Sequence, residues 1–442
     1  MWKLLKNLYF TSRFYQSLAA LVVLFILSFL FRPLFYPAVF LFVSWVVVVL
    51  FEIYILFKFN GIEASRSMSD RFSNGDDNVI NIKLQNYYNQ KVHLTIIDEI
   101  PFQFQRRDVS WKASMDPEES SELSYHLKPV KRGVYHFGCL NVFASFFLRL
   151  VERRFQFGEG KEVAVYPSYL QMRKYEIAAI SKNLSAYGIK KVRRIGTSME
   201  FEQIKDYVRG DDPRSINWKA TARANALMIN QFQEEKSQQV YSLIDKGRLM
   251  KMPFEGMSLL DYAINACLVI SNIAIKKGDK AGLISFSKKL STVVSANKRP
   301  GHMRKILEGL YRQKTRYEEA NFELLAAFVR KKITERSLLL LFTNFESQTS
   351  MNRQMPYLKM LAKKHVLVVI FFRNTGIKEV LKTRPKDVEG IYHQTIAEHL
   401  DHEKNLMIKE LKRHGIYGIV TEPRNLTVDT INKYLALKAK SF

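Results

Sequence analysis

Two apolar runs near the start of the chain, Phe14–Phe31 with 18 residues and Leu34–Phe57 with 24, constrain what it can fold into more than any other feature. The second carries Glu52 as its single charge, and Arg32-Pro33 separates the two. As a helix, each run is long enough to cross about 30 Å of hydrocarbon, where a helix satisfies its own backbone hydrogen bonds. The pattern predicts a transmembrane hairpin within residues 1–59. A cleavable leader fits poorly, because the first run ends without a small-residue cleavage site and a second run follows at once. The alternative is one long helical hairpin buried in protein.

Lys3, Lys6 and Arg13 precede the first run, and Lys58, Arg66 and Arg71 follow the second. Positive charge at both outer ends places them on the cytoplasmic side, with the short bend across the membrane. Both termini and the bulk of the chain are therefore expected in the cytoplasm, so the Asn-x-Ser/Thr matches at Asn183 and Asn425 do not read as glycosylation sites. Cys139 and Cys267 lie far apart in apolar segments and read as reduced, buried thiols, which suits that compartment.

The 442 residues carry a net charge of +26, of which the first 59 hold five cations against Glu52, leaving +22 for the rest. Such a surplus is drawn towards an anionic leaflet. Its Lys and Arg residues are spread along the chain and form no single patch interleaved with aromatics, which argues against nucleic acid as the partner. The local exception is Lys190-Lys191-Val192-Arg193-Arg194, either a solvated loop or a contact for headgroups, phosphate or an acidic partner.

After the hairpin, short β-rich pieces at Val79–Leu84, Val92–Ile97, Leu123–Leu127, Gly133–Phe137 and Val163–Tyr166 alternate with turn formers, predicting a small β-sandwich over 60–170. A linker with a charged segment follows over 171–238. From about Gln239 strand and helix alternate: strands at Val240–Ile244, Ala281–Phe286, Ser337–Thr343, Val366–Phe372 and Tyr417–Thr421 are interleaved with helices at Ser258–Lys277, Met303–Gln313, Asn321–Ile333, Met351–Lys364, Ile391–Arg413 and from Val428. Runs such as LLLLF and VLVVIFF are strands covered on both faces. Residues 239–442 are thus expected to form an open, mostly parallel, Rossmann-type α/β sheet.

The segment Glu200–Arg223 holds five acidic and five basic residues together with Phe201, Tyr207 and Trp218, and no clean period. Burying it requires a partner for nearly every charge. Gly210 permits a tight turn, Asp211 and Asp212 accept backbone N–H groups or pair with arginine, and Arg214 and Arg223 offer planar donor forks. We expect Glu200, Asp211, Asp212, Arg214, Lys219 and Arg223 to form a charge-paired clasp between the β module and the α/β domain. Trp218 is expected to anchor it there by its apolar face. The alternative reading of the same residues is a surface that docks a partner or ligand.

Ligands of open α/β sheets sit at the carboxyl ends of the strands. Those ends carry Asp245-Lys246-Gly247-Arg248-Leu249, then Ser285 and Ser287, then Thr343-Asn344. The arrangement resembles a von Willebrand factor A domain, whose metal site follows the first strand as Asp-x-Ser-x-Ser and gains a Thr and an Asp from later loops. Asp245 matches that pattern, whereas Gly247 and Leu249 replace the serines and Asn344 stands where Asp is expected. Magnesium needs near-octahedral oxygen ligation, so these losses predict a degenerate, metal-free site with Asp245 as its remnant.

A wider resemblance rests on Glu200-Phe201, on Tyr207-Val208-Arg209-Gly210-Asp211-Asp212-Pro213-Arg214, on Ile216-Asn217-Trp218-Lys219-Ala220 and on Ala222-Arg223, continuing through Asp245-Lys246-Gly247-Arg248. These resemble the bacterial family called domain of unknown function 58. Lys205, Arg209 and Asn217 depart from it, where Arg, Pro and Asp are frequent. The resemblance implies a protein anchored in the bacterial inner membrane that acts beside a MoxR-type AAA+ ATPase in assembly or maturation of protein complexes.

The sequence contains no phosphate-loop, nucleophile-elbow or zinc-helix motif. His393, His399 and His402 lie among Glu, Asp and Lys, as a solvated helix face does. No enzymatic activity, cofactor or metal is expected. Two other classes stay open: a basic module binding anionic lipid or nucleic acid, and an enzyme of unrecognised type in which Asp211 and Asp212 act as paired carboxylates.

Overall fold

The structure is a computed structural model and describes residues 6–106, 109–180, 199–208, 211, 213–234, 237–315, 317–373, 375–382, 385 and 387–439. The chain divides into two compact units, Met1–Tyr166 and Pro167–Phe442.

The first unit contains both apolar runs as helices, α1 (Ser12–Leu30) and α2 (Phe35–Lys58), joined by a 3-10 turn at Arg32–Leu34. Both are long and apolar enough to cross a membrane. A third helix of that length and character, in the second unit, is mostly buried in protein. Large apolar side chains such as Ile26, Phe29, Phe40 and Phe51 stand exposed along the pair.

Among the described residues, eleven strands accompany the helices. β1 (Leu8–Phe10), β10 (Val151–Phe157), β9 (Leu140–Ser145), β5 (Val92–Asp98) and β6 (Ser110–Met115) form one sheet in that order. β2 (Ile62–Met68), β4 (Asn78–Asn86) and β7 (Ser120–Leu127) form a second, and β3 (Arg71–Ser73), β11 (Lys161–Tyr166) and β8 (Gly133–Phe137) a third. Residues of all three sheets, with Val49 and Leu56 of α2, share one apolar core. β4 shows why: Ile80, Ile82 and Leu84 alternate inward at the two-residue period of a strand. At the end of β5 the buried Asp98 accepts from Arg66 Nη1 and from the Tyr125 hydroxyl, each at 2.5 Å.

The sequence reading placed five of these strands and missed six. β10 carries Glu152, Arg153 and Arg154, which hide its pattern, and β1 and β3 are too short to show a period.

β1 leads directly into α1, and β2 begins four residues after α2, so both legs of the helical pair grow out of sheets. Thr11 caps α1. The carbonyl of Leu56 at the end of α2 accepts from the Tyr88 hydroxyl at 2.8 Å and from Arg153 Nη1 at 2.6 Å, satisfying an orphan helix carbonyl.

In the second unit, helix α3 (Tyr169–Ile180) precedes an antiparallel ribbon of β12 (Met199–Asp206) and β13 (Met228–Glu234), with the short helix α4 (Trp218–Ala224) between its strands. The main sheet then begins with β14 (Gln239–Asp245), followed by a small hairpin of β15 (Pro253–Phe254) and β16 (Met257–Ser258) and by α5 (Leu259–Lys276). α5 is the buried third helix; its N-cap Ser258 makes a reciprocal capping box with Asp261. β17 (Lys280–Phe286), β18 (Leu290–Asn297), α6 (His302–Tyr311), α7 (Phe322–Lys332), β19 (Ser337–Phe342), α8 (Gln348–Lys364) and β20 (Val366–Phe372) come next. α9 (Thr375–Lys382), α10 (Val388–Arg413), β21 (Tyr417–Thr421) and α11 (Leu426–Lys438) complete the unit.

The six-stranded sheet runs β18-β17-β14-β19-β20-β21 and is parallel except for β18. All six residues of β19 are buried, as expected of a strand packed on both faces. Every strand and helix expected for this domain is present. The additional ones are the edge strand β18, the two-residue strands β15 and β16, and the amphipathic helix α9. α11 is fixed by a buried pair: Asp279 accepts from Lys438 Nζ at 2.7 Å and from the Tyr434 hydroxyl at 2.5 Å.

Candidate functional site at the strand ends and the charged segment

The parallel strands bring Asp245, Thr343 and the 285–287 turn to one edge of the sheet. Asp245 ends β14 and is 4% exposed. One carboxylate oxygen accepts the Gly247 N–H and the other the Thr343 hydroxyl, both at 2.7 Å. Burial pushes the carboxyl up to about 6, against the pull of these two donors. The group Thr343 touches is thus the one with which it would share a metal in the resembled pattern.

The remaining positions explain the departures. A Cβ on Gly247 would lie 3.0 Å from Asp245 Oδ1 and 3.3 Å from both the Ala320 nitrogen and the Glu318 oxygen, so a serine there meets backbone that cannot swing aside. Asn344 Oδ1 accepts from Lys404 Nζ at 3.0 Å, and the same ammonium donates to the Phe345 carbonyl at 2.5 Å. Burial lowers the Lys404 ammonium to about 8. Ser285 Oγ accepts the Thr292 N–H at 3.1 Å and supports the antiparallel edge strand, while Ser287 is buried beside it. Among the described residues no group of three or more His, Cys, Asp or Glu could hold a metal ion. A cleft of about 190 Å³ opens over Asp245, lined also by Arg248, Glu346, Ser350 and Arg353. Lys404 escaped the sequence reading because its partner lies 60 residues away on another element.

The charged segment builds itself locally. Asp211 accepts the Val208 N–H at 3.1 Å and pairs with Lys205 at 3.3 Å, and these two contacts, the backbone one first, hold its carboxyl below the ordinary range. Tyr207 N–H donates to the Leu227 carbonyl at 2.8 Å, and Asn217 caps α4 through the Ala220 N–H while its amide reaches Asn230. Lys219 and Arg223 are exposed on α4. Gly210 and Asp212 lie outside the described residues. Of Glu200 and Arg214 the structure describes the backbone, in β12 and in a 3-10 turn at Pro213–Ser215.

Trp218 corrects an expectation. It is 70% exposed, so its ring is not buried as an anchor. It opens α4, a helix of seven residues without a buried position, and Asn217 ties that helix to the ribbon in its place. Val208 and Leu227 are exposed as well. A second correction concerns Cys139, which is half-buried; Cys267 is fully buried, with its thiol pushed up to about 11. His393, His399 and His402 stand exposed on α10.

A ribbon feeding a mixed α/β sheet, together with a β-rich unit that carries two apolar helices, defines the class of protein. Residues 203–380 match the family described as "Protein of unknown function DUF58". The chain is 27% identical over 169 residues to the "Uncharacterized protein YeaD" of Bacillus subtilis (strain 168), a match spanning 38% of this chain and 40% of that relative.

Among solved structures, the ASH / PapD-like domain of human CEP192 aligns at 10% identity and a TM-score of 0.19, over 24% of this chain and 87% of that one. The CARDB domain of a Pyrococcus furiosus protein aligns at 13% identity and 0.18, over 25% and 97%. Proximal thread matrix protein 1 of the mussel byssus aligns at 10% identity and 0.29, over 46% and 47%. Likenesses at these scores carry no functional argument.

Proposed function

We propose that this protein is a membrane-anchored interaction protein of the bacterial inner membrane. Its cytoplasmic α/β domain is a degenerate, metal-free relative of the von Willebrand factor A domain that docks a protein partner, and a MoxR-type AAA+ ATPase acting in assembly or maturation of protein complexes is the partner the family kinship suggests. The observation that carries the reading is Trp218, 70% exposed on a segment that also exposes Val208 and Leu227 and whose polar groups are capped locally. Large exposed aromatics on rigid supports are the side chains that anchor interfaces. The cleft over Asp245 supports the same reading, because its carboxylate is engaged by neutral donors and Arg353 lines the cleft beside the Arg248–Glu346 pair.

Crosslinking from native membranes, wild type against Trp218→Ala, tests it. Recovery of an AAA+ ATPase with wild type and at least a tenfold loss with the variant are expected, on the order of 2 kcal/mol for a hot-spot aromatic, with the melting temperature unchanged. Equal recovery from both would sink the docking role. The +26 charge favours one further reading, an anionic-lipid or nucleic-acid module. Salt-sensitive retention on anionic liposomes or DNA, unaffected by Trp218→Ala, would support it.

A further inference from the structure

The turn between β9 and β10 exposes two adjacent apolar side chains, Phe147 at 84% and Leu148 at 43%. It is held rigidly against the open end of the helical pair. Thr11, the cap of α1, donates its hydroxyl to the Arg149 carbonyl at 2.5 Å and its N–H to the Leu150 carbonyl at 3.1 Å. From the other leg, Glu52 of α2 accepts the Leu150 N–H at 3.3 Å. Arg149 sits at φ 53, a left-handed conformation that a long side chain adopts only where its surroundings impose it.

These contacts fix the height of the turn. Glu52 lies six residues before the end of α2, about 9 Å along its axis. The turn therefore flanks the last turns of α2, level with the exposed Phe51 and Tyr54, and close to the exposed Tyr9 and Phe10 that lead into α1. Cations share this level: Arg149 Nη2 lies 3.0 Å from His93 Nδ1, and Arg13 and Lys91 also act on that ring. An aromatic belt with basic residues is the composition of a membrane–water interface.

We propose that Phe147 and Leu148 enter the bilayer interface beside the helical pair as a third membrane contact, with Arg13, Lys91 and Arg149 at the phosphate level. The inference rests on the reading that α1 and α2 span a membrane. Its partner is an anionic phospholipid bilayer, because the turn is continuous with the exposed apolar helices and its surroundings are basic. Phe102 provides an internal reference. It is also 84% exposed, yet it follows Asp98, whereas the turn adjoins the His93 end of the same strand, about 17 Å away.

The test uses the full chain with Cys139→Ser and Cys267→Ala, carrying a nitroxide at Phe147→Cys, Leu148→Cys, Phe102→Cys or Ile26→Cys, in nanodiscs of phosphatidylcholine and phosphatidylglycerol. Accessibility to oxygen and to a water-soluble nickel chelate is then measured. Positions 26, 147 and 148 are expected to favour oxygen, with nickel accessibility at 147 several-fold below that at 102. If 147 and 148 match 102 while 26 reads hydrocarbon, the third contact is overturned and the hairpin stands. If 26 itself reads water, the hairpin reading falls and the inference with it. Agreement between the two turn positions guards against one substitution that perturbs the loop.

Discussion

Asp98 and Asp245 each end a β-strand and are each nearly removed from water, 3% and 4% exposed, but their surroundings differ in kind. Asp98 faces the guanidinium of Arg66, which also donates to the Gly138 carbonyl at 2.9 Å and lies over the Phe137 ring at 5.2 Å. Asp245 has neutral donors, a backbone N–H and a hydroxyl. The first carboxylate is compensated and locks sheets together. The second is held at a sheet edge without a compensating cation among its hydrogen-bond partners, where a functional group of such a fold would stand. Burial alone does not separate structural from site-like carboxylates; the charge of the partner does.

The largest effect expected from this contrast is on Arg66→Ala. Removing the cation leaves Asp98 buried and unpaired, which costs about 3–5 kcal/mol. Denaturant unfolding of the detergent-solubilised chain measures it, with Asp245→Asn as the counterpart, expected within about 1 kcal/mol of wild type at pH 4, where Asp245 is protonated and, like an amide, accepts the Gly247 N–H through one oxygen and donates to the Thr343 hydroxyl oxygen. A loss below about 1 kcal/mol for Arg66→Ala would erase the distinction.

The two carboxylates also show how far the sequence can be read. The α/β strands were legible because packing on both faces turns them into continuous apolar runs, as in Ser337–Phe342. Asp245 was legible because it terminates such a run. Arg66 and Asp98 were not, since their pairing spans 32 residues and depends on how separate sheets meet. Trp218 was misread for a related reason: a tryptophan in a charged segment suggests an anchor, whereas Asn217 and the ribbon's own hydrogen bonds hold the segment. Local caps leave no period in a sequence, and the Gly247 crowding comes from Glu318–Ala320, distant in the chain.

The next effect is on pH dependence. Asp245 sits at about 6 when folded against an ordinary 3.8, so the folded state holds its proton more tightly than the unfolded chain does. Its contribution is fully present below about pH 4 and is lost as pH rises through about 6, a change of roughly 3 kcal/mol. Wild-type unfolding free energy, followed from pH 4 to 7.5, should fall by that amount relative to Asp245→Asn. Parallel curves for the two proteins would mean that burial does not hold the proton on Asp245.

The smallest effect separates lost ligands from lost space. If the proposed metal-free state arises merely because serines and an aspartate are missing, then Gly247→Ser, Leu249→Ser and Asn344→Asp together restore the resembled ligand set. The geometry argues otherwise. A Cβ at 247 meets the Ala320 nitrogen and Glu318 oxygen at 3.3 Å, contacts of a side-chain atom with backbone that cost about 1–3 kcal/mol to relieve. The carboxylate introduced at 344 would fall to Lys404, whose ammonium already lies 3.0 Å from that side chain's oxygen. Gly247→Ser alone is therefore expected to lower the melting temperature by a few degrees, and the triple variant to show no magnesium-dependent recovery at millimolar ion. A ligand bound only by the folded state raises stability with its concentration, so a magnesium-dependent rise in the triple variant's melting temperature would show that the edge still has room for a metal and that residue identity alone had emptied it.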